Sequence, residues 1–295
     1  MPINHSFSIL MCNIKLVLKL TILILIIGLL IFALIASAIM PIVKDFSSII
    51  RNSDIDADML VNHPIQTIRT EIIDECMNYL KNTNWETTLI YIILLLYALG
   101  FLFTVTKLPV TKVLYNKMIS GYDIGLLHAF ISTGFQNLLL SLILSIISFA
   151  ISAGLFIGTW SLVMLCFDAD LLILIPFIII LWLAALSVRS CFFSQWMPEI
   201  CASQSKNIFD GLKIGIKGSV KRFSKNFLCY FTINFILFAV IVSTIILSFG
   251  AIPLICIPVY IVLACALSLT LNFSYHQQKY FIDNGGTVYT PTKLF

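Results

Sequence analysis

Long apolar blocks alternate with short polar segments along the chain, and the blocks exceed what the helices of a soluble core need. A bilayer core about 30 Å thick takes about 20 apolar residues in a helix. By that measure the pattern predicts six spans. The first four run from Leu16 to Met40, Thr88 to Val105, Leu138 to Phe167 and Leu171 to Val188. Two more fit between Phe227 and Tyr275, a stretch with no charged residue, and Ser248-Phe249-Gly250-Ala251-Ile252-Pro253 marks the tight turn between them. The predicted fold is an all-α, polytopic transmembrane helical bundle, its six spans forming three hairpins, with amphipathic cytoplasmic helices. The segments are 1–40 (N-terminus and span one), 41–87 (an acidic outer domain with one amphipathic helix) and 88–105 (span two). They continue as 106–188 (first amphipathic helix, spans three and four), 189–275 (basic amphipathic helix, spans five and six) and 276–295 (cytoplasmic tail).

Composition agrees with the pattern. Of 295 residues, 60 % are hydrophobic and only 11 % charged, against about 25 % charged in soluble domains. Soluble, disordered, collagen-like and small disulfide-rich classes are excluded. The sparse charge also orients the chain, because Lys and Arg are retained on the cytoplasmic side. With the N-terminus inside, the inner segments hold 14 basic and 4 acidic residues, and the outer ones 4 basic and 10 acidic. Both termini are expected inside a bacterial cytoplasmic membrane. Ala36-Ser37-Ala38 resembles a signal cleavage site, but the apolar run from Leu20 to Met40 exceeds the roughly 7–15 residues of a signal peptide's apolar h-region. A retained anchor is expected.

Two inner segments resemble each other. Tyr122-Asp123 leads through a helix-compatible stretch to Phe135-Gln136-Asn137-Leu138, and Phe209-Asp210 leads similarly to Phe223-Ser224-Lys225-Asn226-Phe227. Ser132 and Ser219 fall at comparable places between. Asp is a favoured helix N-cap, so each unit reads as a cap, a surface helix and then a hairpin of spans. Phe7 to Asn13, ahead of Lys15, reads as a degraded copy. This layout, over roughly residues 107–275, resembles several families of bacterial six-span membrane proteins. Among them are the membrane domains that accompany some glycerophosphodiester phosphodiesterases. The resemblance implies a six-span bundle and transfers no catalytic residue; the soluble phosphodiesterase domain has no counterpart within these 295 residues.

The helix expected over 206–227 carries Lys213, Lys217, Lys221 and Lys225 at four-residue steps, with Arg222 among them. Leu212, Ile216, Val220 and Phe223 fall on the neighbouring face. A basic helix with an apolar stripe suits anionic headgroups or a partner membrane protein; the same charges also serve simply as the positive-inside signal. Gly211, Gly215 and Gly218 count against an isolated helix. Nucleic-acid binding is not expected, since no aromatic platform accompanies the charges. The matching helix, Asp123 to Asn137, is almost wholly apolar and is expected to be buried, with His128 a partly buried structural histidine.

Outside, Pro64 is placed to start a helix continuing through Ile65, Ile68, Ile72, Cys76 and Leu80, with Trp85 at the interface. Asp54, Asp56 and Asp58 alternate like half a calcium loop, but Met59 and Ile65 stand where Gly and Glu are needed. In span three, Ser145, Ser148, Ser152, Gly154 and Gly158 form a small-residue stripe suited to helix packing within the bundle. Asn234 is expected to hydrogen-bond across helices. The eight cysteines are dispersed without metal spacing, and the tail from Asp283 to Pro291 reads as a turn followed by an extended strand or docked peptide.

Spans two to six, as drawn, contain no ionisable residue, which argues against an ion-coupled pump. No nucleotide-binding, metalloprotease or nucleophile-elbow motif occurs. The expected role is non-enzymatic and without cofactor or metal: organising lipid or partner proteins, with a permease or exporter subunit for a hydrophobic or uncharged solute as the alternative.

Overall fold

The computed structural model describes residues 2–52, 85–121, 123–165, 171–202, 208–248, 253–278, 282–284 and 287–289. Asp54, Asp56 and Asp58, the Pro64 helix with Cys76, Tyr122, and the turn at residues 249–252 lie outside them. Within them the chain is helical apart from one short hairpin. The helices are α1 (Pro2–Cys12), α2 (Ile14–Asn52), α3 (Trp85–Ser120), α4 (Leu126–Leu165) and α5 (Leu171–Phe193). There follow α6 (Trp196–Ala202), α7 (Ile208–Lys221), α8 (Phe223–Ser248) and α9 (Pro253–His276). In the tail β1 (Ile282–Asn284) pairs antiparallel with β2 (Thr287–Tyr289), so the extended segment expected there is present.

Five stretches are long and apolar enough to cross a membrane: Ile93–Ser120, Leu126–Thr159, Pro176–Ala202, Phe223–Ser243 and Cys256–His276. A sixth appears if α1 and the start of α2, which meet at 74°, count as one span. The chain is thus a multi-pass membrane protein. These helical stretches run beyond the limits read from the sequence. Lys107, Lys112, Lys117, Arg189, Glu199, Lys225 and His276 all fall within them. The apolar blocks ended at the first cation, but a helix does not stop where its hydropathy does. Its backbone hydrogen bonds continue until a break, here at Gly121 for α3.

The chain divides into two compact units, one of Met1–Leu25 with Phe101–Phe295 and one of Ile26–Gly100. In the second, described side chains such as Leu29, Leu34, Ile90 and Leu94 are exposed, as suits helices whose solvent is lipid. The first unit is organised around α9. In its most apolar window 72 % of residues are buried, against 17–33 % in the other four spans. Ile261, Val262, Ala266, Leu267, Leu269 and Phe273 pack against Leu16, Leu20, Val113, Leu114 and Ile233. A second core cluster joins Leu108, Leu140, Leu144, Trp196 and Met197.

Lipid gives apolar contacts little preference for the interior, so side-chain hydrogen bonds and small residues mark the inward faces. Asn137 Nδ2 donates to Val105 O at 2.9 Å, and Ser141 Oγ donates to Asn137 Oδ1 at 3.2 Å. Ser268 Oγ donates to Ser194 O at 2.6 Å. Lys117 Nζ donates to Asn13 Oδ1 at 3.0 Å, which ties α3 to the bend between α1 and α2.

A short helix, a break and a longer helix occur three times. The breaks fall at Asn13, Gly134 and Arg222. Gly134 lies inside α4 at φ +35° and ψ −119°, a conformation that a side chain disfavours. The helix before it is not buried, contrary to expectation. Leu127, Ile131 and Phe135 are 76, 73 and 77 % exposed, and His128 is exposed as well. The inward face is Ala129, Thr133 and Asn137 instead. An apolar surface in a membrane protein is satisfied by lipid, so hydrophobicity there says nothing about which side faces in.

Candidate functional site

The basic helix α7 is seated by its glycines. Gly211, Gly215 and Gly218 share one face, since steps of four and three residues return to the same side of a helix. A Cβ on Gly215 would lie 3.1 Å from the backbone of Gln195 and Trp196, and one on Gly211 3.1 Å from Ile200. One on Gly218 would meet the Tyr275 ring at 3.3 Å. These three positions, read from sequence only as weak helix formers, let α7 lie against the backbone at Gln195 and Trp196 and against the side chains of Ile200 and Tyr275. Lys213 and Lys217 then lie about 200–240° round the helix from Gly211. With Lys221 and Lys225 they are exposed. Leu212 and Ile216 are half-buried, while Val220 is exposed, so only part of the expected apolar stripe is open to lipid.

Arg222 departs from its expected place among the docking cations. Its Nη1 donates to Ser274 O at 3.1 Å and lies 3.3 Å from Ser274 Oγ, and its guanidinium stacks 5.6 Å from the Tyr275 ring. It occupies the break between α7 and α8 and fastens that break to the end of α9. Beside it, Lys221, Phe223, Ser224 and Lys225 edge an open surface groove.

Helix α6 is the wedge beneath α7. Trp196 is fully buried, and Met197, Pro198 and Glu199 are buried with it. Pro198 falls within the first turn, where an absent N–H costs no hydrogen bond. Glu199 Oε1 accepts from Asn272 Nδ2 at 2.6 Å and pairs with His276 Nε2 at 2.6 Å. Among the described residues Asn272 Oδ1 has no partner. In the sequence Glu199 stands out only as one of the four acidic residues among the inner cations. Its spacing to Asn272 and His276, which lie four apart on α9, was the available signal.

Asn234 joins three helices. Its Nδ2 donates to Ser187 Oγ at 2.9 Å, and Tyr260 OH donates to its Oδ1 at 3.2 Å. The small-residue stripe of α4 divides in two. Ser145 is buried, and Ser148 and Ser152 are half-buried. Gly154 and Gly158 are exposed, and a Cβ on either would meet nothing within 4 Å. Among the described residues, then, the GxxxG pair packs against no helix. Phe223, Phe227, Phe231 and Phe235 stack along α8 with ring centroids 5.7–6.5 Å apart.

A cavity of about 70 Å³ with a largely apolar wall lies within the first unit between α3, α4, α5, α8 and α9, with Met197 of α6 also lining it. Thr104, Lys107, Ser148, Arg189, Ser194, Tyr230, Tyr260 and Ser268 contribute to its wall. Sequence reasoning missed it because Lys107 and Arg189 had been assigned to inner loops. Among the described residues no group of three His, Cys, Asp or Glu is placed to hold a metal ion. Comparison with protein-family models, with curated proteins and with solved structures finds no match.

Proposed function

We propose that the protein is a non-enzymatic, multi-pass protein of a bacterial cytoplasmic membrane that gathers anionic lipid, or a partner membrane protein, at the cytoplasmic surface. It crosses six times as three hairpins, with both termini inside and amphipathic helices at the inner surface. The three helix–break–helix units support the hairpin repeat, and the basic and acidic sides of the sequence support the orientation. The likeness in layout to the membrane domains that accompany glycerophosphodiester phosphodiesterases belongs to this same reading. The observation that carries it is the division of α7: its glycines lock one face to the bundle and leave Lys213, Lys217 and Lys221 exposed, with Lys225 exposed at the start of α8.

Each lysine near anionic headgroups contributes about 1 kcal/mol. Replacing the four with Gln is therefore expected to weaken capture of phosphatidylglycerol by the detergent-purified protein at least tenfold at low salt. Screening should remove the difference at about 1 M salt. Equal capture by the two proteins at low salt rejects the reading. For orientation, a membrane-impermeant maleimide on intact cells should label Cys76 and leave a Ser224→Cys reporter unlabelled until the cells are permeabilised. The opposite pattern rejects the topology. The alternative, a permease or exporter subunit for a hydrophobic or uncharged solute, draws on the cavity between the helices. Lys107 and Arg189 in its wall suit an anion better.

A further inference from the structure

We infer that the cavity between α3, α4, α5, α8 and α9 is a binding site for a phosphate-type oxyanion. Two cations, Lys107 and Arg189, line it together and lie within electrostatic range of each other. Among the described residues neither forms an ion pair with a carboxylate. Two like charges held in a largely apolar hollow of a membrane protein repel and lack polar partners. An anion between them reverses both effects.

The hydroxyls suit the same ligand: Tyr230 is 3 % exposed, and its OH lies beside Ser194 and Ser268 in the cavity wall. Hydroxyls that now face one another can turn to donate to an acceptor-rich guest held between the two cations. A tetrahedral phosphate group offers three or more acceptor oxygens. Its charge of about −1.5 to −2 matches the two cations, and a guanidinium can hold it in bidentate fashion. A volume of about 70 Å³ is several times the roughly 10–15 Å³ that one water needs.

Depth separates this site from the surface lysines. Ser268 lies six residues before Ser274 on α9, about 9 Å along the axis from the Arg222 contact. The phosphate group can come from free phosphate or from a lipid headgroup, and the test has an arm for each source. Full-length protein in neutral detergent would be measured for retention of radiolabelled inorganic phosphate, and by native mass spectrometry for bound dioleoyl phosphatidate. Binding in either arm that falls at least tenfold in Lys107→Gln and Arg189→Gln, and persists when Lys213, Lys217, Lys221 and Lys225 are all Gln, supports the site and names its source. Lys107→Arg keeps the charge and should bind. Tyr230→Phe, which keeps both charges, should lose affinity severalfold, so the proposal remains testable even where a Gln variant does not fold. No binding in either arm, or binding unchanged in the Gln and Phe variants, overturns it.

Discussion

Gly215→Leu is expected to unseat α7 and destabilise the protein by about 2–3 kcal/mol, the range typical of overpacking at a contact that cannot yield. A Cβ there would sit 3.1 Å from the backbone of Gln195 and Trp196, and no rotamer change relieves contact with backbone. Removing a helical glycine acts in the other direction, by about 1 kcal/mol, so the clash decides the sign. Gly158→Ala supplies the comparison. Nothing lies within 4 Å of a Cβ at that position, and the same gain in helix propensity should leave stability unchanged or slightly higher. Thermal unfolding in detergent, followed by tryptophan emission because Trp196 is fully buried at this contact, measures both. If Gly215→Leu melts with wild type, the close seating of α7 is wrong. The surface displayed by the lysines would then need another explanation.

The second large effect is expected at Glu199. One carboxylate oxygen accepts from both Asn272 and His276, and Asn272 Oδ1 has no partner among the described residues. Glu199→Ala therefore leaves a buried amide with neither end satisfied. Hydrogen bonds to charged groups contribute about 1.5–3 kcal/mol each, partly offset because burying the carboxylate is itself unfavourable. A net loss of about 3 kcal/mol is expected. A double-mutant cycle separates lost pairing from lost packing. Asn272→Leu in the Glu199→Ala background should recover part of the loss, because removing both partners leaves no orphan amide. Strict additivity of the two changes would show that the pair is not coupled.

Much of the architecture was legible in the chain. Apolar blocks of about 20 residues have few structural outcomes, since a lipid-exposed backbone must satisfy its hydrogen bonds within a helix. Asn234 could be read as a bridge for the same reason: an amide at that depth needs a partner. Three features were not legible, each with a physical cause. Gly211, Gly215 and Gly218 look like helix weakeners unless the surface they approach is known. Leu127, Ile131 and Phe135 look like core because the apolar pattern of a lipid-facing stripe is the same as that of a buried one. Lys107 and Arg189 were placed in loops because the spans were cut at the first cation. The cavity they share is assembled from six helices, most of them distant in sequence.

The contact between α1 and α9 has a further consequence, for the order in which the molecule is made. Ser6 hydrogen-bonds Thr270 across a sequence separation of 264 positions. At about 5–20 residues per second, synthesis separates the two by on the order of 10–50 s. Throughout that interval the first helix has left the ribosome while the surface it packs against does not yet exist. Ile9 and Leu10, buried in the finished bundle, must be sheltered elsewhere during that time, in the lipid interface or by the insertion machinery. Helix α1 is thus translated well before α9 and cannot reach its final place until α9 has been made.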